Sequence, residues 1–212
     1  MRTGILFDLD GTLLDTLEDL LDATNYALAA HGYPPRTLPE LRRFVGNGAL
    51  NQIRLSLPEG SPEGEAERVL ATYKPYYTDH CQIKTRPYEG VLKELDVLKE
   101  KYPVAIVSNK PDAAVKALCA DHFPGIYALG EAAGCPRKPA PDMVYKAMAA
   151  IGADRCIYVG DSEVDVITAK NAGVKCLSVT WGFRDQNCLT QAGGKYFCHE
   201  PKDLMKCLEE MM

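Results

Sequence analysis

Short apolar runs alternate along this chain with stretches of helical period. Residues 4–7, 104–107, 126–129, 157–159 and 176–179 are largely apolar blocks, most of them rich in β-branched or aromatic side chains. An unbroken run, in place of strict apolar–polar alternation, suits a strand covered by helices on both faces. Between the runs, apolar residues recur every three or four positions. Val91, Leu92, Leu95 and Leu98 fall on one helical face, and so do Val144, Ala147, Met148 and Ile151, with Gly152 expected as a C-cap. Strand–helix alternation of this kind predicts an α/β fold: a doubly wound parallel sheet with right-handed crossovers.

One region breaks the alternation. Over residues 15–80 the pattern is helical only. Thr16 and Asp19 have the spacing of a capping box. Leu17, Leu20, Leu21, Thr24 and Leu28 form a stripe that Gly32, Pro34 and Pro35 terminate. Further on, Val69, Leu70, Tyr73 and Tyr77 share a face, with Pro75 expected to kink their helix. The reading is a core made of residues 1–14 and 81–212, into which residues 15–80 are inserted as a small α-helical cap domain.

A chain of 212 residues accommodates that arrangement, one α/β domain with a small insertion. Lys and Arg number 24 against 29 for Asp and Glu, a net charge of −5, which argues against a nucleic-acid partner held by a broad basic surface. The apolar start at Ile5–Leu6–Phe7 meets Asp8 at once, too short a run for a signal sequence, and no stretch is long enough to span a bilayer. The eight cysteines are scattered without a C-x-x-C pair, so thiols in a reducing compartment are expected, with no membrane partner and a cytoplasmic location. Neither cysteines nor histidines have the spacing of a zinc site.

Four segments carry chemistry. Asp8-Leu9-Asp10-Gly11-Thr12 follows the first apolar run. Two carboxylates this close repel one another unless a cation or a reaction requires them. Mg²⁺ takes carboxylate and water oxygens alongside substrate phosphate, and Gly11 lets the backbone turn and present amides to an anion. A D-x-D pair alone is no more than an acidic turn; the full pentapeptide after a buried strand is more specific. Gly160-Asp161-Ser162-Glu163-Val164-Asp165 follows the 157–159 run. Asp161 therefore reaches the same sheet edge as Asp8, where ligands bind in doubly wound folds. Asp165, one helical turn on, would orient a ligand or a lysine, although acids at a helix N-terminus also arise from the helix dipole alone. Ser108-Asn109-Lys110 offers a hydroxyl and amides that can hold phosphate, or an ordinary helix cap. Arg137-Lys138-Pro139-Ala140-Pro141 holds Lys138 in a proline-stiffened segment, as a cation for phosphate or as a solvated loop lysine.

In this order, the four segments resemble the four signature motifs of the haloacid dehalogenase superfamily, over residues 8 to 165. The inserted helices resemble the cap of its phosphoglycolate phosphatase-like branch, as do Val45-Gly46-Asn47-Gly48, Pro87-Tyr88-Glu89-Gly90 and Trp181-Gly182. Ser108 stands where close members of that branch often carry threonine, and either residue supplies a hydroxyl.

The resemblance implies a Rossmann-like core and a Mg²⁺-dependent phosphatase acting on a small phosphorylated metabolite, as monomer or homodimer. It makes Asp8 the nucleophile that forms an aspartyl-phosphate, and Asp10 the acid that protonates the leaving alkoxide and then activates water. It assigns the metal to Asp8, Asp161 and the main-chain carbonyl of Asp10, and the phosphoryl oxygens to Ser108, Asn109 and Lys138. Residues 45–50 read as a cap loop facing the site, and Arg43, Asn47 and Arg54 are candidates for touching the leaving group, although a surface or helix-cap role is the readier reading of each. Asp10 speaks against dehalogenation, because a departing halide needs no proton. A β-phosphoglucomutase-like mutase shares every core motif and is the nearest alternative. A phosphonatase would need a cap lysine, which residues 15–58 lack. A non-catalytic binding protein on the same fold would have lost a motif carboxylate, and none is lost.

Overall fold

The computed structural model describes residues 1–212. The chain divides into two compact units, one of Met1–Asp15 with Pro87–Met212, the other of Thr16–Arg86. Two-residue strands, β2 (Leu14–Asp15) and β3 (Arg86–Pro87), lie where the chain passes between them. No helix is long and apolar enough to cross a membrane.

The first unit is an α/β fold. Its sheet contains β1 (Thr3–Phe7), β4 (Val104–Pro111), β5 (Tyr127–Glu131), β6 (Arg155–Gly160), β7 (Lys175–Val179) and β8 (Tyr196–Cys198), in the order β5-β4-β1-β6-β7-β8. Every neighbouring pair is parallel. The central strands β1, β4 and β6 are almost wholly buried, as their unbroken apolar runs require. Helices α5 (Val91–Lys101), α6 (Asp112–His122), α7 (Asp142–Ile151), α8 (Glu163–Ala172), α9 (Gln186–Gln191) and α10 (Leu204–Glu209) complete the unit. Leu6, Val107, Val144, Ala147, Tyr158 and Val166 meet in its core. Gly152 closes α7 in the left-handed region, φ 64°.

Three details depart from the sequence reading. The 126–129 run forms β5, an edge strand whose Tyr127 is exposed, so its apolar character does not mean burial on both sides. Leu92 is also exposed, and α5 buries only Val91, Leu95 and Leu98. The edge strand β8, Tyr196-Phe197-Cys198, is only three residues long, too short an apolar run to announce it.

The second unit is helical: α1 (Leu17–Ala30), α2 (Leu38–Phe44), α3 (Ala49–Ser56) and α4 (Glu65–His80). Leu17, Leu20, Thr24 and Leu28 of α1 are buried, as are Val69, Tyr73 and Tyr77 of α4, whose two tyrosine rings stack at 5.3 Å. Pro75 sits inside α4 without ending it. The Thr16–Asp19 capping box does not form: Thr16 makes no side-chain cap. The Asp19 carboxylate instead accepts hydrogen bonds from the main-chain N–H of Lys84, at 3.0 Å, and of Thr85, at 2.8 Å. That grip ties residues 81–86, assigned to the core from sequence, to the helices instead.

Candidate active site

Strand order determines where the chemistry gathers. β1 is flanked by β4 on one side and β6 on the other, the switch point at which a doubly wound sheet opens a crevice beyond its C-terminal strand ends. Asp8 leaves β1 there, Ser108 to Lys110 lie at the end of β4, and Asp161 follows β6. A register irregularity between Val107 and Pro111 frees the end of β4 from regular pairing with β5.

Asp8, Asp161 and Asp165 come together. Each can offer one carboxylate oxygen, and these oxygens lie within 4.8 Å of one another. Asp8 is 7% exposed, Asp161 1% and Asp165 0%. The turn after β1 allows this crowding. Gly11 has φ +82°, and a Cβ there would overlap the Asp161 carboxylate. Thr12 donates its hydroxyl to Asp161 Oδ1 at 3.1 Å, and the Phe183 N–H donates to Asp161 Oδ2 at 2.7 Å. Asp165 belongs to the capping box of α8: its Oδ2 accepts from the Ser162 N–H at 3.1 Å and from the Ser162 hydroxyl at 2.6 Å.

Lys138 answers part of this charge from the first turn before α7, beside the cis Lys138–Pro139 peptide. Its Nζ donates to Asp8 Oδ1 at 2.9 Å, to Asp165 Oδ1 at 2.8 Å and to the Tyr158 hydroxyl at 3.0 Å. These three partners match the three N–H donors of an ammonium. The Lys138 main chain is held in turn by Asn109, whose Oδ1 accepts from the Lys138 N–H at 2.8 Å and whose Nδ2 donates to the Lys138 carbonyl at 2.9 Å. The side chain of Asn109, expected at a phosphoryl oxygen, thus grips the peptide that carries the lysine.

The electrostatics follow from burial and crowding. Burial pushes the Asp8 carboxyl well above its ordinary value, and the charge of Asp165 pushes the same way, against the opposing Lys138 ammonium. The Asp161 carboxyl rises from 3.8 to about 7, through burial first and Asp165 second. Burial alone would lower the Lys138 pKa; the Asp165 and Asp8 carboxylates overcome it and hold that pKa well above 10.5. Three carboxylates facing one ammonium leave an excess of negative charge in a buried place. Hard oxygen donors with surplus negative charge suit a divalent cation, so the cluster fits one.

Asp10 stands apart from this group. Its side chain meets Ser108, whose hydroxyl lies 3.4 Å from Oδ2, and forms an ion pair through Oδ1 with the ammonium of Lys110. The structure therefore brings Asp165, not the Asp10 carboxylate, to Asp8 and Asp161.

Several residues at the site have roles that the sequence does not assign. Thr12 and Phe183 orient Asp161, and Tyr158 shares Lys138. Trp181 donates its indole N–H to the Thr12 carbonyl at 3.0 Å, and a Cβ on Gly182 would overlap the Gly11 carbonyl and Asp161. Thr12, which closes the Asp8–Thr12 segment, and Trp181-Gly182, a short aromatic–glycine pair after the last long strand, carry a signal in the sequence; Phe183 and Tyr158 carry none of their own. In the sequence Lys110 is one member of a tripeptide, with no role of its own.

The sequence pattern that defines the haloacid dehalogenase-like hydrolases matches residues 5–179. The chain is 32% identical over 217 residues to phosphoglycolate phosphatase 1 of Pseudomonas aeruginosa, covering 97% of this chain and 79% of that protein. It is 28% identical over 218 residues to N-acetylmuramic acid 6-phosphate phosphatase of the same organism, covering 99% and 96%. A solved structure from Lactobacillus delbrueckii subsp. bulgaricus superposes with a TM-score of 0.91 at 37% identity, covering 97% of each chain.

Proposed function

Because this chain belongs to the haloacid dehalogenase-like hydrolase family, we propose that it is a Mg²⁺-dependent phosphatase that cleaves small phosphate monoesters through a phosphoryl group carried on Asp8. The observation that carries this reading is the buried Asp8–Asp161–Asp165 group with Lys138 bonded to Asp8. A nucleophilic carboxylate must stay ionised beside an incoming dianion, and the paired ammonium supports that state.

In this reading Asp8 and Asp161 would hold the metal with the Asp10 carbonyl, and Asp165 keeps Lys138 pointed at Asp8. When bound, Mg²⁺ supplies charge neutralisation for the phosphoryl oxygens. An Asp8 oxygen attacks phosphorus as the bond to the leaving oxygen breaks, and Asp10 gives that oxygen its proton. Asp10 then takes a proton from water as the water oxygen attacks phosphorus, the Asp8–phosphorus bond breaks and orthophosphate leaves. Ser108 and Lys138 stabilise the transferring group, with Asn109 holding Lys138 in place.

The two curated relatives carry the names of phosphatases for a two-carbon acid phosphate and for an amino-sugar phosphate. 2-Phosphoglycolate is our first candidate substrate. The test is a panel of phosphate monoesters with Mg²⁺, followed by orthophosphate release. We expect release from at least one small alkyl phosphate and none after Asp8→Asn. An isomerised sugar phosphate without orthophosphate would make the protein a mutase instead.

A further inference from the structure

The proposed reaction uses Asp10 but leaves unexplained the buried cation attached to it. Lys110 lies at the end of β4, with its side chain only 3% exposed, and its ammonium pairs with Asp10 Oδ1. Its own N–H donates to the Ser108 hydroxyl at 3.2 Å, and that hydroxyl faces Asp10 Oδ2. Ser108 and Lys110 therefore bracket both oxygens of one carboxylate. Burying a lysine is costly, and a buried pair seldom adds stability over apolar residues of similar size, so a role beyond stability is the better account. The neighbourhood supplies one. Asp10 is two residues from Asp8, a member of a cluster that could hold a divalent cation, and an acid–base group must not be drawn into ligation.

We propose that Lys110 is a positioning residue: its ammonium holds the Asp10 carboxylate beside Ser108, apart from the Asp8–Asp161–Asp165 group, in the pose from which Asp10 exchanges protons with the leaving and attacking oxygens. This rests on the phosphatase reading above. It adds no chemical step; the protons still travel between Asp10, the leaving oxygen and water.

The test compares Lys110→Met, which keeps the length and removes the charge, with Lys110→Arg, which keeps the charge. Single-turnover rates are measured on an alkyl phosphate, whose leaving oxygen needs a proton, and on p-nitrophenyl phosphate, whose leaving group departs largely unaided. Losing a general acid outright costs roughly 10²–10⁴-fold. Lys110→Met should lose about 10- to 100-fold of the alkyl rate and less than about 3-fold of the p-nitrophenyl rate. Lys110→Arg, which keeps Asp10 held, should recover most of the alkyl rate and leave the concentration of Mg²⁺ for half-activation where it is in the unaltered protein. In an Asp10→Asn background, Lys110→Met should cost almost nothing further, since both act through one carboxylate. Should Lys110→Met fail to fold, Lys110→Arg is judged on the same two substrates, and any loss must again fall on the alkyl one.

Equal losses on both substrates would overturn the proposal. So would full additivity with Asp10→Asn, or a change confined to KM for carboxylate-bearing substrates, which would make Lys110 a substrate contact. Failure of the underlying reading looks different: the unaltered protein would hydrolyse no phosphate monoester, or Asp8→Asn would stay active.

Discussion

Removing divalent cations should make the protein less stable as pH rises, the reverse of the usual behaviour of carboxylates. A carboxyl paired with a cation normally has a depressed pKa and stabilises the fold above it. Asp161 has a raised one, about 7 against an ordinary 3.8. Between those values the folded state binds more protons than the unfolded state, so stability falls with rising pH. Each pKa unit is worth about 1.4 kcal/mol, so Asp161 alone removes roughly 2–3 kcal/mol between about pH 5 and pH 8. Asp8 is raised as well and acts in the same direction. Lys138 does not offset this: its folded pKa lies above 10.5, so its contribution is complete throughout this range and is lost only at higher pH. A domain with about 5–15 kcal/mol in hand would register the change clearly. A cation binds the ionised cluster, so Mg²⁺ at about 100 times its Kd adds roughly 2.7 kcal/mol, and more of that effect appears at pH 8 than at pH 5. The assay is urea unfolding across this range, in EDTA and in Mg²⁺, with Asp161→Asn as the control that should flatten the EDTA slope. Metal-free stability that rises from pH 5 to 8, or a slope untouched by Asp161→Asn, would refute the reasoning.

Gly182→Ala should cost about 1–3 kcal/mol in urea unfolding and weaken Mg²⁺ activation, because its methyl would press on the Gly11 carbonyl and on Asp161. Asp161→Ala should lower metal affinity and turnover together, measured by Mg²⁺ titration of activity. Asp19→Ala should destabilise the helical unit by roughly 2–3 kcal/mol, since it strands the Lys84 and Thr85 amides. Amide exchange should speed up at residues 84 and 85 while turnover chemistry at Asp8 is retained.

Much of the core was legible because both signals there are local. A buried parallel strand reads as a plain apolar run, and the carboxylate that joins the cluster comes immediately after, as with Phe7–Asp8 and Gly160–Asp161. The third carboxylate near Asp8 was harder, since Asp165 also has a sufficient local reason to exist as the cap of α8. Lys110 gave no warning because a lysine after a strand is ordinarily solvated; only the irregular end of β4 and the position of Asp10 show that it is buried. Phe183 holds Asp161 from 22 residues away and Trp181 holds the Thr12 carbonyl in the first turn from 169 residues away, beyond any periodic pattern. Thr16 failed as a cap for the same kind of reason: Asp19 is taken by distant main-chain amides, and local spacing cannot reveal that competition. The edge strand β8, at three residues, is too short to stand out.

The central claim is that Asp8 carries the phosphoryl group. The most direct measurement is an acid-quenched single turnover with a small alkyl phosphate and Mg²⁺, followed by peptide mass analysis. The account predicts a phosphoryl adduct on the peptide containing Asp8 at early times, its decay in step with orthophosphate release, and neither in Asp8→Asn. Orthophosphate released by the unaltered protein with no adduct at any quench time, together with sustained turnover in Asp8→Asn, would contradict it.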